Sequence, residues 1–313
     1  MKINAKAFAK VNPYLKVKGL REDGYHQLDI GYLTINLADK ITIRPNTEDE
    51  IEISTEANLS TKENLCYKVA VKLKSTCGVK AGAKITLKKE IPIGGGLGGG
   101  SSDAATTLIC LNRLWDCNLS RRSLIDIGKE FGADIPFFFY GGYCTGSGTG
   151  VDLQQKENIF QDRLIPLVFP PFSQLTSEVY AKYDQIFEDS DASQTKAQNF
   201  LQKNTIGLDI ENDLQKPALQ LNPGLSEYLN LFQNSSTIAT SGLAGSGSCV
   251  FGISRADVSP NEIRQEIEKE LNSISERAML KVAKPTNTGQ LVQQVKNPGH
   301  SPGHLKKQCE DGI

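Results

Sequence analysis

The chain has 313 residues, with 35 Lys and Arg against 36 Asp and Glu. So even a balance leaves no overall field to draw in nucleic acid or an acidic membrane, and no apolar run is long enough to span a bilayer. This length predicts one large domain or two ordinary ones.

In chain order, Met1-Lys2-Ile3-Asn4-Ala5-Lys6 leads directly into a strand-like pattern with no secretory core. Ile3–Val17 and His26–Ile43 read as strands joined at the turn Arg21-Glu22-Asp23-Gly24. Asn64–Lys74 has a partly helical spacing of Leu65, Val69, Val71 and Leu73, and Lys84–Ile93 reads as a strand. A glycine-rich stretch follows, then helices near 102–116 and 121–131, the second opened by an N-cap in Leu119-Ser120-Arg121-Arg122. Ile135–Tyr140 and Gly141–Thr145 read as strand pieces. After Asp152 the character changes: a short strand at Leu164–Phe169 ends in Pro170-Pro171, Ser177–Phe187 reads as a helix, and 188–205 is polar. Strands at Thr237–Thr240 and Ser248–Ser254 bracket a second glycine-bearing turn, Ser241–Gly247. A helix over 261–271 follows Ser259-Pro260, then a strand at Ala278–Val282. From about 285 the chain is rich in Asn, Gln, Pro and Gly, which predicts a disordered tail. The expected division is a first domain over 1–152, a second over 153–284 and a tail over 285–313.

Gly94-Gly95-Gly96-Leu97-Gly98-Gly99-Gly100 places six glycines in seven residues, between a strand and a helix. Backbone without Cβ atoms can wrap closely around a ligand, and the N–H groups of a helix start favour an anion such as a phosphate. A purely structural turn would not need so much flexible backbone. A Walker A loop is excluded, because Ser101 stands where its lysine belongs. Gly94, Gly96 and Gly99 satisfy the dinucleotide fingerprint, yet a second helix rather than a second strand follows, and Asp116 lies between helices. Seven cysteines without a CxxC pair predict reduced thiols and a cytoplasmic location. His26 is the only histidine before the tail, which argues against a zinc site or a Ser-His-Asp triad.

Two side chains carry the chemistry a phosphate cradle needs. Asp134 follows Gly132-Ala133 and precedes an apolar run, so it falls at the end of an element, as a proton acceptor for a hydroxyl or as a capping aspartate. Lys10 stands in an apolar strand segment, Ala7–Tyr14, either turned outward or aimed at a site where it would stabilise phosphoryl charge. Asn12 shares its face.

Ala9-Lys10-Val11-Asn12, Pro92–Ala105 and Leu243-Ala244-Gly245-Ser246-Gly247-Ser248 resemble the three motifs of the GHMP small-molecule kinases. Asp23-Gly24-Tyr25-His26 and Gly132-Ala133-Asp134-Ile135-Pro136 resemble the branch that phosphorylates a CDP-linked sugar alcohol in non-mevalonate isoprenoid synthesis. The resemblance runs from Ala9 to about Phe251. It implies an α+β, two-lobed fold: a ribosomal-protein-S5-like N-terminal domain, a ferredoxin-like C-terminal domain, and a site in the cleft between them. It implies Asp134 as catalytic base with Lys10 beside it. ATP would lie along Pro92, Gly94, Gly95, Gly96, Leu97, Gly98, Gly99, Gly100, Ser101 and Ser102, with Asn64, Leu65, Lys89 and Asp103 about the adenine. Mg2+ would arrive with the nucleotide, with no dedicated protein metal site, and Ser101 and Ser102 would touch phosphate, complete the ion's shell or cap the helix. Asn12, Tyr25, His26, Tyr180, Gly245 and Gly247 would hold the acceptor, the aromatics stacking on its cytosine. The implied partners are these small molecules, with no nucleic acid and no membrane, and a monomer or weak homodimer. Val151, Ala244 and Pro13 depart from the usual pattern and leave room for a changed acceptor such as homoserine, a mevalonate-like acid or a sugar, or for an inactive nucleotide-binding paralogue.

Overall fold

A computed structural model of the chain describes residues 1–56, 61–188 and 210–295. The expected polar segment over 188–205 falls almost wholly outside these residues.

The first lobe is built on a nine-stranded sheet whose spine is β3 (His26–Asn46), a strand of 21 residues. One side of β3 pairs with β1 (Lys2–Val11) and, nearer its start, with β2 (Tyr14–Leu20). The other pairs with β6 (Tyr143–Gly148) and then β5 (Gly82–Lys88). β4 (Ile51–Thr55) and β7 (Asp152–Lys156) extend these last two. The single strand expected over Ile3–Val17 is broken at Asn12-Pro13, because Pro13 has no N–H for a ladder and the Asn12 amide turns aside to the Gly31 carbonyl, 2.9 Å away.

Helices α1 (Leu65–Cys77), α2 (Gly99–Leu114) and α3 (Arg121–Lys129) pack together, α2 lying against β1 and β3. Asn64 caps α1 through its side chain, and Gly78 ends it in the left-handed region. Ile135–Phe139 is a 3-10 helix rather than the expected strand. Pro136 would remove a ladder donor from a strand but sits comfortably in a first helical turn, and all five residues are buried. Tyr32 stacks on Phe137 at 4.8 Å.

The second lobe holds β8 (Ile165–Phe169), β10 (Ile238–Leu243), β11 (Val250–Ser254) and β12 (Met279–Ala283) in the order β10-β11-β8-β12. With α4 (Thr176–Glu188) after the first strand and α7 (Pro260–Ile274) before the last, this is the ferredoxin-like arrangement. α5 (Gln215–Leu221) and α6 (Leu225–Gln233) add to it. α7 opens with a full capping box between Ser259 and Glu262.

Two segments from the second half of the chain return to the first sheet. β9 (Glu211–Asn212) pairs in parallel with β2. β13 (Gln290–Val295) pairs with β1 over Lys2–Ala7. The tail expected from 285 onward is therefore strand over 290–295. The unfilled edge of β1 supplies backbone partners that the composition does not reveal, and Val292 packs against the core. Residues 296–313 lie outside the described residues.

Candidate active site

Lys10 and Asp134, 124 positions apart in the sequence, meet across the first lobe: Lys10 Nζ lies 3.6 Å from Asp134 Oδ2. β1 delivers the lysine, which is only 4% exposed. The carboxylate sits at the start of the 3-10 helix. The ammonium also donates to Asn12 Oδ1 at 2.7 Å, so the i and i+2 residues of one strand face share a proton donor. The Tyr32 hydroxyl donates to Asp134 Oδ1 at 3.3 Å. Burial, with the Asp134 charge beside it, pushes the Tyr32 hydroxyl well above its ordinary pKa and keeps it a donor.

The glycine stretch runs past this pair. Lys10 N–H donates to the Leu97 carbonyl at 3.0 Å. Gly98 takes φ +67°, and a Cβ there would stand 3.1 Å from Lys10 Cγ and 3.0 Å from Phe138 Cζ. Gly98 is the N-cap of α2, so that helix begins at Gly99, three residues earlier than its apolar periodicity predicts. Beyond the loop lies the turn after β10: the Asn212 amide donates to the Leu243 and Gly245 carbonyls at 2.9 and 2.7 Å, and Ser246 Oγ meets Thr176 Oγ1 at 2.9 Å.

Two cavities meet here. The larger, about 720 Å³, holds Lys10, Asn12, Asp134, His26, Tyr180 and Gly245 on its walls. The smaller, about 340 Å³, runs along the glycine stretch to Asn64, Leu65, Lys89 and Asp103. Gly96, Gly98 and Ser101 line both. At the floor of the smaller cavity Lys89 Nζ bridges Asp39 Oδ2 at 2.5 Å and Asp103 Oδ2 at 2.7 Å. Asp39 also accepts from the backbone N–H groups of Glu90 and Ile91, whereas Asp103 Oδ1 is buried without a partner. Burial pushes Asp103 up to about 8; Lys89 draws it down and the Asp39 charge adds to the rise. At the far end of the larger cavity, the His26 ring stacks on Tyr180 at 4.7 Å, and its Nε2 lies 2.7 Å from Asp184 Oδ1.

Residues 64–142 match the GHMP kinases N terminal domain, and residues 196–273 match the GHMP kinases C terminal domain. The chain belongs to the GHMP kinase family. It is 37% identical over 258 residues to a 4-diphosphocytidyl-2-C-methyl-D-erythritol kinase of Thermodesulfovibrio yellowstonii, covering 80% of this chain and 89% of that protein. It is 36% identical over 266 residues to the enzyme of the same name from Prochlorococcus marinus (strain MIT 9312), covering 80% and 86%. A crystal structure of 4-(cytidine 5'-diphospho)-2C-methyl-D-erythritol kinase superposes with a TM-score of 0.69 at 28% identity, over 90% of this chain and 99% of that one. As a GHMP kinase the protein is an ATP-dependent small-molecule phosphotransferase.

Most residues singled out from the sequence of this GHMP kinase line one of the two cavities, and two do not. Ser102 lies inside the first turn of α2 with its hydroxyl buried and unpartnered, so it neither caps the helix nor faces either cavity. Gly247 sits behind the turn, where a Cβ would meet Gln174 Oε1 at 2.8 Å. Tyr25 lines the larger cavity but is 66% exposed. Sequence reasoning missed Tyr32, Asp39 and Asp184. Asp184 had a readable signal, four residues after Tyr180 and so on the same helical face; Asp39, a lone carboxylate between the apolar runs of β3, had a weaker one. Among the described residues, no helix is long and apolar enough to cross a membrane.

Proposed function

We propose that this GHMP kinase transfers the ATP γ-phosphoryl group to the 2-hydroxyl of 4-diphosphocytidyl-2-C-methyl-D-erythritol, the compound in the names of its relatives. The observation that carries the reading is the Lys10–Asp134 pair on the wall of the larger cavity, with Lys10 beside Gly98, which lines both cavities. In this reading the smaller cavity takes the nucleotide. Its phosphates rest on backbone N–H groups between Gly94 and Ser101 and on the positive end of the 16-residue α2. The glycines fit such a cradle: a Cβ at Gly96 would overlap the Ala244 carbonyl oxygen, and Gly98 holds φ +67° with Lys10 and Phe138 packed close against it. A Mg2+ ion carried by the nucleotide would neutralise phosphate charge, and the hydroxyl of Ser101, which lines both cavities, would contribute to its shell.

Asp134 accepts the proton of the acceptor hydroxyl as in-line transfer proceeds, without a covalent enzyme intermediate. Lys10, 3.6 Å from the carboxylate, offsets charge growing on the transferred group. Asn12, fixed by Lys10 and the Gly31 carbonyl, orients the hydroxyl, and the Tyr32 hydroxyl holds the other carboxylate oxygen. The aromatic end of the cavity, with Tyr25, His26 and Tyr180, takes the cytosine.

The test is release of ADP by the purified protein with MgATP and the CDP-linked acceptor, run beside homoserine, mevalonate and galactose. Turnover confined to the CDP-linked alcohol is the expected result. Turnover of one of the other acceptors alone overturns the substrate assignment, and absence of any ADP release overturns the activity.

A further inference from the structure

His26 stands at the start of β3 with its ring in the larger cavity, held on three sides. Tyr180 stacks on it at 4.7 Å with the planes 25° apart, Tyr183 meets it edge-on at 5.9 Å, and Asp184 Oδ1 lies 2.7 Å from Nε2. Tyr180, Tyr183 and Asp184 all belong to α4, at spacings of three and four residues, so one helical face fixes the ring's plane and one of its two nitrogens. We infer that Asp184 is a positioning residue that sets which pyrimidine the acceptor pocket takes, by fixing the His26 tautomer.

The inference rests on the proposed function, in which this end of the cavity holds the base of the acceptor. A carboxylate oxygen only accepts, so Nε2 carries the hydrogen and donates. A neutral imidazole has one N–H, which makes Nδ1 an acceptor. Cytosine offers an exocyclic amine that donates, whereas uracil carries a carbonyl oxygen in its place. An accepting Nδ1 pairs with the amine and meets the carbonyl lone pair to lone pair. Base preference is thus imposed through the ring, by Asp184 acting on Nε2. Without Asp184 the hydrogen is free to move to Nδ1, where it serves a carbonyl as well as the other tautomer serves an amine.

The test compares CDP-linked and UDP-linked methylerythritol as acceptors for the wild type, Asp184→Ala and Asp184→Asn. The carboxamide can present either its oxygen or its nitrogen to Nε2, so even this isosteric change releases the tautomer. Both variants are expected to lose on the order of 10- to 100-fold of the wild-type preference for cytosine in kcat/KM. The loss should appear mainly as a raised KM for the CDP-linked acceptor, with kcat moving much less. Only three histidines are present, so long-range proton–nitrogen NMR at about pH 8.5 reads the ring directly: a neutral Nε2–H tautomer in the wild type, mixed in the variants. An unchanged base preference in both variants overturns the inference, as does an Nδ1–H or doubly protonated ring in the wild type. Failure of the wild type to use either acceptor overturns the proposed function itself, and is seen before any variant is made.

Discussion

Gly96→Ala is the sharpest test of how the glycine loop is held. Gly96 has φ +75°, and a Cβ on it would stand 1.9 Å from the Ala244 carbonyl oxygen, 2.9 Å from the Ala244 carbonyl carbon and 3.1 Å from the Gly247 carbonyl oxygen. All three are backbone atoms, so no side-chain rotation relieves the overlap. The nearest contact is about 1.5 Å shorter than the 3.4 Å at which ordinary contact begins, and the loop must separate from the turn after β10 by roughly that much. Holding alanine in the left-handed region adds about 1–2 kcal/mol. Because Gly96 lines both cavities, a displacement of this size moves the glycine loop relative to Lys10 and Asp134. A misplacement of about 1 Å costs on the order of 100-fold in rate, so kcat should fall at least that far. Gly100→Ala is the control for stability: the only atom near its Cβ is Leu65 Cδ1 at 3.6 Å, and alanine inside α2 should stabilise by about 0.5–1 kcal/mol. The assay is steady-state ADP release with thermal melting of both variants. Wild-type kcat and KM in Gly96→Ala would refute the reasoning, since they would mean that the loop does not need its contact with the turn.

Asp134→Asn, nearly isosteric, should lower kcat by about 10²–10⁴-fold while calorimetric affinity for ATP stays near wild type; near-normal turnover removes Asp134 from the chemistry. Asp103 binds its proton more tightly folded than unfolded, at about 8 against about 3.9 in a free chain. Its contribution to stability is present below the lower value and is lost as pH rises through the higher one. Melting temperatures between about pH 5 and 8 should therefore decline less steeply for Asp103→Asn than for wild type, and parallel curves would show that Asp103 is not the group responsible.

The fold class was legible through the resemblance, and so were most of the residues that line the two cavities; the course of individual elements was less so. The glycine stretch, Lys10 and Asp134 stand out because their chemistry does not fit their local setting: flexible backbone where a turn needs less, and charges beside apolar runs. Their meeting was not legible from spacing, and came from the resemblance. The errors have physical causes. Ile135–Phe139 is rich in strand-forming residues, yet burial against α2 and Pro136 decide for a 3-10 helix. β13 carries too few apolar residues to declare itself, because half of what holds it is the backbone of β1. Ser102 reads as a cap from its residue type, but α2 starts at Gly99 and carries it inside. Asp39 and Asp184 pair with Lys89 and His26, and partnership across elements leaves little trace in a linear pattern.

The pairing of β13 with β1 also fixes an order of assembly during synthesis. β1, which bears Lys10, leaves the ribosome long before the strand that covers its outer edge, which is completed only at residue 295. Throughout that interval the nascent first lobe carries an open row of backbone donors and acceptors over Lys2–Ala7, an invitation to wrong pairing with other chains. The lobe that houses the glycine loop is thus begun before the second lobe and closed after it.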